Sequence, residues 1–132
     1  MGAAVGGAIP GEKRPRVICG DGGFQMTAQA LSTMAKMNMN AVVIVVDNGL
    51  YGYEQYLLDP RYYRSTTTLP LPCAELSRWD YCGLAAAMGV GLTAKADSVA
   101  SLRMALANAK GHTGGLSLVQ AIVQSRSLPP GP

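Results

Sequence analysis

The sequence is poor in charge. Lys, Arg, Asp and Glu make up 14% of its 132 residues, against roughly a quarter in ordinary soluble domains. No long run of one sign occurs. The 11 basic and 8 acidic residues leave a net charge of +3, too small and too scattered to point to nucleic acid. The one basic cluster, Lys13, Arg14 and Arg16, is expected to be a solvated turn ahead of a strand. No stretch approaches the ~18 apolar residues of a membrane span. Met1–Pro10 is apolar and small but lacks the positive leader of a secretory signal. Cysteine is scarce: Cys19, Cys73 and Cys82 are odd in number and without CxxC spacing. They are expected as buried or half-buried thiols in a reducing cytosol, not as a disulfide or metal set. Histidine occurs once, at His112 in a Gly-rich turn, and is expected on the surface.

What is present suffices for one folded domain. Hydrophobic residues make up 48%, which excludes global disorder and provides a modest core. The combination of low charge with many Ala and Gly residues leaves little polar surface, a hint that another domain or subunit covers part of it.

Hydrophobic patterning predicts alternating strands and helices. Arg16–Cys19 reads as a short strand feeding Gly20-Asp21-Gly22-Gly23. Phe24–Met37 has helical period, with Ala28, Leu31, Met34 and Ala35 on one face, and Asn38 and Asn40 break it. Ala41–Val46 is β-branched and apolar on both sides, as in a central strand of a parallel sheet. Leu50–Leu58 reads as a loop entering a short helix, and 59–72 as irregular. Further along, Tyr81–Met88 reads as a helix and Leu92–Lys95 as a strand. A helix capped by Asp97 or Ser98 runs to Lys110, with Gly111 at its end, and Leu116–Val123 is the last strand. Residues 1–9 look like the back half of a helix, so the chain is expected to start inside a structural unit, and 124–132 is a Pro-rich tail. The fold class that follows is α/β: an open, mostly parallel sheet with helices on both faces, in a single domain over 1–132.

Ligands of such sheets bind at the carboxyl ends of strands. Two strand ends carry polar signals. In the first, the glycines of Gly20–Gly23 permit close backbone approach, and the following helix start suits a phosphate. Asp21, itself anionic, would hold a phosphate only through a divalent cation, which points to Mg²⁺. Alone, this stretch reads first as an ordinary strand-to-helix turn with Asp21 near the cap. In the second, Asp47-Asn48 ends the next strand after 24 residues between Gly22 and Asp47. That interval holds one helix and one strand, and returns Asn48 to the same sheet edge as Asp21.

The pairing of GDGG-FQ-x-TAQ with DN-x-x-YG resembles the diphosphate-binding domain of thiamine-diphosphate enzymes. Within that family it is most similar to 2-oxo acid decarboxylases of the pyruvate and indolepyruvate type. Arg78-Trp79-Asp80-Tyr81-x-Gly83-Leu84-Ala85 is similar to their WDY-x-GL segment. The resemblance implies thiamine diphosphate and Mg²⁺ as cofactors. Asp21, Asn48 and the main-chain carbonyl of Leu50 would be the metal ligands. Gly20, Gly22, Gly23 and Tyr51 would join these residues at the cofactor, with the N–H groups of Gly22 and Gly23 on the diphosphate. Glu54, six residues after Asn48, would be the catalytic proton donor once CO₂ has left; its other reading is a surface carboxylate. Tyr51, Tyr53 and Tyr56 would line the entrance, with at least two of them expected to pack.

Asp47 stands where the family has an Asn. Its extra charge acts in two directions, towards a cation and against a diphosphate. Gly49 and Leu50 invert the usual small and large positions. The resemblance further implies a 2-oxo acid substrate, a pyrimidine-binding domain in the same enzyme or another subunit, an oligomer, and a cytoplasmic location. A carboligase such as an acetolactate synthase, or a non-catalytic fragment that pairs with a homologous subunit, are the alternative readings.

Overall fold

The computed structural model describes residues 14–127, together with Gly2 and Gly6. Apart from those two glycines, the helix expected over 1–9 lies outside the described residues, as do Lys13 and the tail beyond 127.

Four strands form one sheet: β1 (Arg16–Gly20), β2 (Val42–Asp47), β3 (Leu92–Ala96) and β4 (Ser117–Ile122). Their order is β1-β2-β4-β3, and every pairing is parallel. Six helices connect them: α1 (Asp21–Thr27), α2 (Ala30–Lys36), α3 (Gly52–Leu58), α4 (Arg61–Arg64), α5 (Tyr81–Ala87) and α6 (Val99–Gly111). The chain steps from β1 to β2, and past β4 to β3, with α1, α2 and α5 on one face. It then reverses direction from β3 to β4, and α6 packs on the opposite face. Right-handed crossovers require that change of face.

The larger core lies under α1, α2 and α5, where Phe24, Leu31, Met34, Tyr81 and Ala85 close over Val43, Val45 and Leu118. Phe24, Leu31 and Met34 are fully buried, each contributing about 1.5–3 kcal/mol relative to exposure. On the other face, Ala105 and Ala109 of α6 meet Val42 and Val119. β2 is therefore covered from both sides, which is why its run of Val and Ile does not alternate with polar residues.

Two expectations change in detail. The helix anticipated over Phe24–Met37 begins at Asp21 and is broken in two. The Thr27 hydroxyl donates to the Gly23 carbonyl at 3.0 Å, a back-bond that bends helices. The next N–H groups then reach back only three residues, Leu31 to Ala28 and Ser32 to Gln29. α2 ends at Lys36, and Asn38 just beyond it has φ 49°, the left-handed closing turn that Asn tolerates. Within 59–72, expected as irregular, the one-turn helix α4 forms.

Three residue-level expectations are corrected. Arg14 is not a solvated turn residue: it reaches across to α6 and donates to the carbonyls of Lys110 (2.9 Å) and His112 (2.6 Å), capping the carbonyl end of that helix. His112 is half-buried, with Nδ1 3.1 Å from the Ser117 hydroxyl and the ring packed against Gly91. Cys73 is exposed, because it lies on the turn that the Ala74 N–H closes onto the Leu71 carbonyl. Cys19 and Cys82 are half-buried, and burial raises both thiols above the ordinary range.

Candidate functional site: the ends of β1 and β2

β1 and β2 are adjacent and in register, Gly20 opposite Val46. Their carboxyl ends therefore bring Asp21 and the 47–50 loop side by side. Asp21 is the first residue of α1, not part of a loop before it, and Gly20 is the N-cap in extended conformation. Gly22 and Gly23 thus lie in the first helical turn, where backbone N–H groups have no partner inside the helix.

The Asp21 carboxylate is 2% exposed. Its Oδ1 accepts from the Gly22 N–H at 3.0 Å and its Oδ2 from the Gly49 N–H at 2.6 Å. One carboxylate thus clasps the two strand ends together. Burial raises its pKa above the ordinary carboxylate value, the two N–H donors oppose this, and the nearby Asp47 carboxylate adds to the rise. The loop is shaped by its own residues. Asn48 Oδ1 accepts from Leu50 N–H at 3.0 Å, an Asx turn, and Gly49 has φ +69°, open to glycine at no steric cost.

Leu50 is buried with Tyr62 and Ala74. It forms a bridge with Glu75 in which the Gly49 carbonyl accepts from Leu76 N–H and the Tyr51 N–H donates to Ala74. The Leu50 carbonyl takes no part in that bridge. Reversing the small and large positions at 49 and 50 therefore leaves a main-chain oxygen at the loop while the Leu50 side chain anchors it. Tyr51 lays its ring on Gly22: a Cβ there would come within 2.3 Å of Tyr51 Cε1.

Glu54 is exposed in the first turn of α3. Of the three tyrosines, Tyr51 packs on Gly22 and Tyr56 sets its ring 6.1 Å from that of Tyr63, while Tyr53 is 71% exposed. α3 turns its buried side to the domain through Gln55, and Tyr53 and Tyr56 fall on its other sides.

The Trp-Asp-Tyr segment supports α1. Asp80 caps α5, Oδ1 accepting from Gly83 N–H at 3.0 Å, and a Cβ at Gly83 would meet Asp80 Oδ2 at 2.3 Å and displace that cap. Tyr81 is fully buried edge-on to Phe24, with ring centroids 5.4 Å apart, and its hydroxyl accepts from Gln25 Nε2 at 2.8 Å. The two sequence motifs, more than 50 residues apart, therefore meet at Tyr81. Gln55, fully buried, bonds Leu71 N–H and the Asp59 carbonyl and ties α3 to the following loop.

Sequence reasoning missed Arg78 and Gln120. Arg78 Nη1 is 3.0 Å from Asp47 Oδ1, and Gln120 Nε2 donates to Asp47 Oδ2 at 2.7 Å. The signal was available: a carboxylate ending a buried apolar strand calls for a cation and a donor.

An α/β sheet with this pair of strand ends defines a cofactor-binding domain, and comparison with known proteins says which. Residues 1–121 match the family described as thiamine pyrophosphate enzyme, C-terminal TPP binding domain. The chain belongs to that family. Pyruvate decarboxylase 2 of Oryza sativa subsp. japonica is 32% identical over 128 residues, covering 92% of this chain and 19% of the relative. Pyruvate decarboxylase 1 of Pisum sativum is 31% identical over 116 residues, 84% of this chain and 18% of the relative. The chain thus spans under a fifth of the length of these curated relatives. Among solved structures, benzoylformate decarboxylase from Polynucleobacter necessarius matches with TM-score 0.75 and 23% identity, over 98% of this chain and 23% of that one. At that identity the likeness is one of fold, and it agrees with the α/β architecture.

Proposed function

We propose that this domain holds Mg²⁺ and the diphosphate of thiamine diphosphate within a non-oxidative 2-oxo acid decarboxylase. The observation that carries the reading is the Asp21–Gly49 clasp, which sets a buried carboxylate against the Asn48–Leu50 loop. The donor set suits the ion. Asp21 offers carboxylate oxygen, Asn48 Oδ1 keeps a second lone pair, and the Leu50 carbonyl lies outside the bridge to Glu75. Mg²⁺ takes six oxygens and accepts a few from protein when phosphate and water complete the set. A divalent cation here would also offset the burial and the Asp47 repulsion that raise the pKa of Asp21.

When bound, the cofactor supplies the electron sink that lets a 2-oxo acid lose CO₂. The chain's own residues position and move protons. The first-turn N–H of Gly23 would meet the diphosphate, that of Gly22 being held by the Asp21 carboxylate, the Tyr51 ring would border it, and the Glu54 carboxyl would be the proton donor after CO₂ has left. The pyrimidine ring and the substrate are met by a second domain or subunit. Exposed Tyr53, Leu57 and Leu58 on α3, and Met26 and Trp79 nearby in sequence to the motifs, are apolar surface for that partner.

The test is calorimetric titration of the chain with thiamine diphosphate, with and without Mg²⁺, beside Asp21→Ala. Binding that needs Mg²⁺ and is lost in the variant supports the reading. Binding of equal strength without Mg²⁺, or unchanged in Asp21→Ala, overturns it. With the partner domain present, Glu54→Gln is expected to slow CO₂ release by about 10²-fold or more without loss of cofactor binding.

A further inference from the structure

We infer that Arg78 is a positioning residue: its guanidinium offsets the charge of the Asp47 carboxylate beside the diphosphate site and props the loop that meets the cofactor. The inference rests on the reading above and answers what a carboxylate at the end of β2 does there.

Asp47 closes β2 on the face occupied by Val43 and Val45, and it is 3% exposed. Both its oxygens are engaged, Oδ1 by Arg78 Nη1 at 3.0 Å and Oδ2 by Gln120 Nε2 at 2.7 Å. Gln120 satisfies hydrogen bonding but carries no charge. Of these two partners, only Arg78 can offset the negative charge, and its side chain is otherwise largely exposed. Without Arg78, an uncompensated buried carboxylate would stand at the strand end beside Asp21 and would oppose an anionic diphosphate.

The same guanidinium also lies on Gly49. A Cβ at that position would fall 2.3 Å from Arg78 Cζ. Gly49 is the residue whose N–H donates to Asp21. The loop is therefore held from two sides, by the Asp21 carboxylate at its N–H and by Arg78 against its Cα. Charge compensation and loop support come from one side chain on the segment leading into α5.

Asp47→Asn, Arg78→Gln and the double variant separate these roles from simple packing. Thiamine diphosphate with Mg²⁺ is titrated into each chain, and the thermal midpoint of each is measured without ligand. Arg78→Gln is expected to weaken binding at least about tenfold and to lower the midpoint. Asp47→Asn is expected to bind within about threefold of the parent. The double variant is expected to regain most of both losses, because no buried charge is left unpaired. A side chain that only packed would not be rescued by Asp47→Asn. Binding by Arg78→Gln within threefold of the parent, or a double variant as poor as Arg78→Gln, overturns the inference. If the parent binds no Mg²⁺-dependent cofactor, the reading of the site fails instead. The midpoints then still decide the compensation: recovery in the double variant sustains it, and no recovery overturns it.

Discussion

The Gly49 N–H donates to the Asp21 carboxylate at 2.6 Å across 28 positions of chain. That bond joins the end of β2 to the start of α1, and it makes the loop and the helix a single unit before any ligand arrives. A hydrogen bond to a charged acceptor contributes about 1.5–3 kcal/mol. Removing the acceptor should therefore loosen the loop first. In Asp21→Ala, the Gly49 amide is expected to exchange hydrogen at least about tenfold faster, with core amides of β2 unchanged. Exchange measured by NMR checks this. Equal protection at Gly49 in both proteins would mean that Arg78 and the Glu75 bridge hold the loop unaided.

Gly22 and Gly23 sit in the same helical turn but in different surroundings. A Cβ at Gly23 meets nothing within 4 Å, whereas at Gly22 it meets the Tyr51 ring. Gly23→Ala should stabilise the ligand-free chain by about 0.5–1 kcal/mol, through helix propensity and a less flexible unfolded chain. Gly22→Ala should destabilise it by about 1–3 kcal/mol as the ring is displaced, with most of that recovered by adding Tyr51→Ala. Urea midpoints of the four proteins decide it. A Gly22→Ala chain as stable as the parent would show that the ring moves freely.

Burial raises the pKa of the Tyr81 phenol, and the hydrogen bond from Gln25 partly opposes this. The unfolded chain then ionises this tyrosine before the native chain does. The stability tied to keeping it neutral is complete below the ordinary tyrosine pKa of about 10. It is lost as pH rises through the higher native value. Tyr81→Phe should cost about 1 kcal/mol at neutral pH from the lost bond to Gln25. It should also flatten the fall in thermal midpoint between about pH 9 and 11. An unchanged alkaline slope would assign that fall to other groups.

Arg126, beyond β4, organises the loop after α3. Its guanidinium bonds the carbonyls of Tyr62, Ser65, Thr66 and Thr68 and lies over the Tyr62 ring, 4.0 Å from its centroid. Bonds from a charged donor to four carbonyls are strong relative to the sparse packing of this segment. Arg126→Gln should leave the sheet intact but open residues 61–70 to limited proteolysis, with first cuts at Arg61 or Arg64 by trypsin. Resistance equal to the parent's would mean that Gln55 and the cluster of Leu50, Tyr62 and Ala74 hold the loop without it.

Much of this architecture was legible in the sequence because its signals are local. β2 announces itself as an uninterrupted Val and Ile run, and Ser98 caps α6 in a capping box with Ser101, as its position before a helical pattern suggests. The interval between Gly22 and Asp47 placed two polar strand ends on one sheet edge, and β1 and β2 are indeed neighbours. The break between α1 and α2 was not legible. It depends on whether the Thr27 hydroxyl turns to solvent or back to Gly23, and the pattern of apolar residues is the same either way.

The sequence by itself determined the fold class, the two strand ends and their family, since period, glycine placement and motif spacing are properties of the chain read in one dimension. The tertiary structure decided which groups meet. The sequence leaves Asp47 open between helping a cation and repelling a diphosphate; in the fold its two oxygens are held by Arg78 and Gln120, 31 and 73 positions away. The Phe24–Tyr81 and Gln25–Tyr81 contacts that join the two motifs arise in the same way. The physical reason is that a buried charge is governed by what surrounds it within a few ångströms. Sequence distance carries no information about that until the sheet has brought its strands into register.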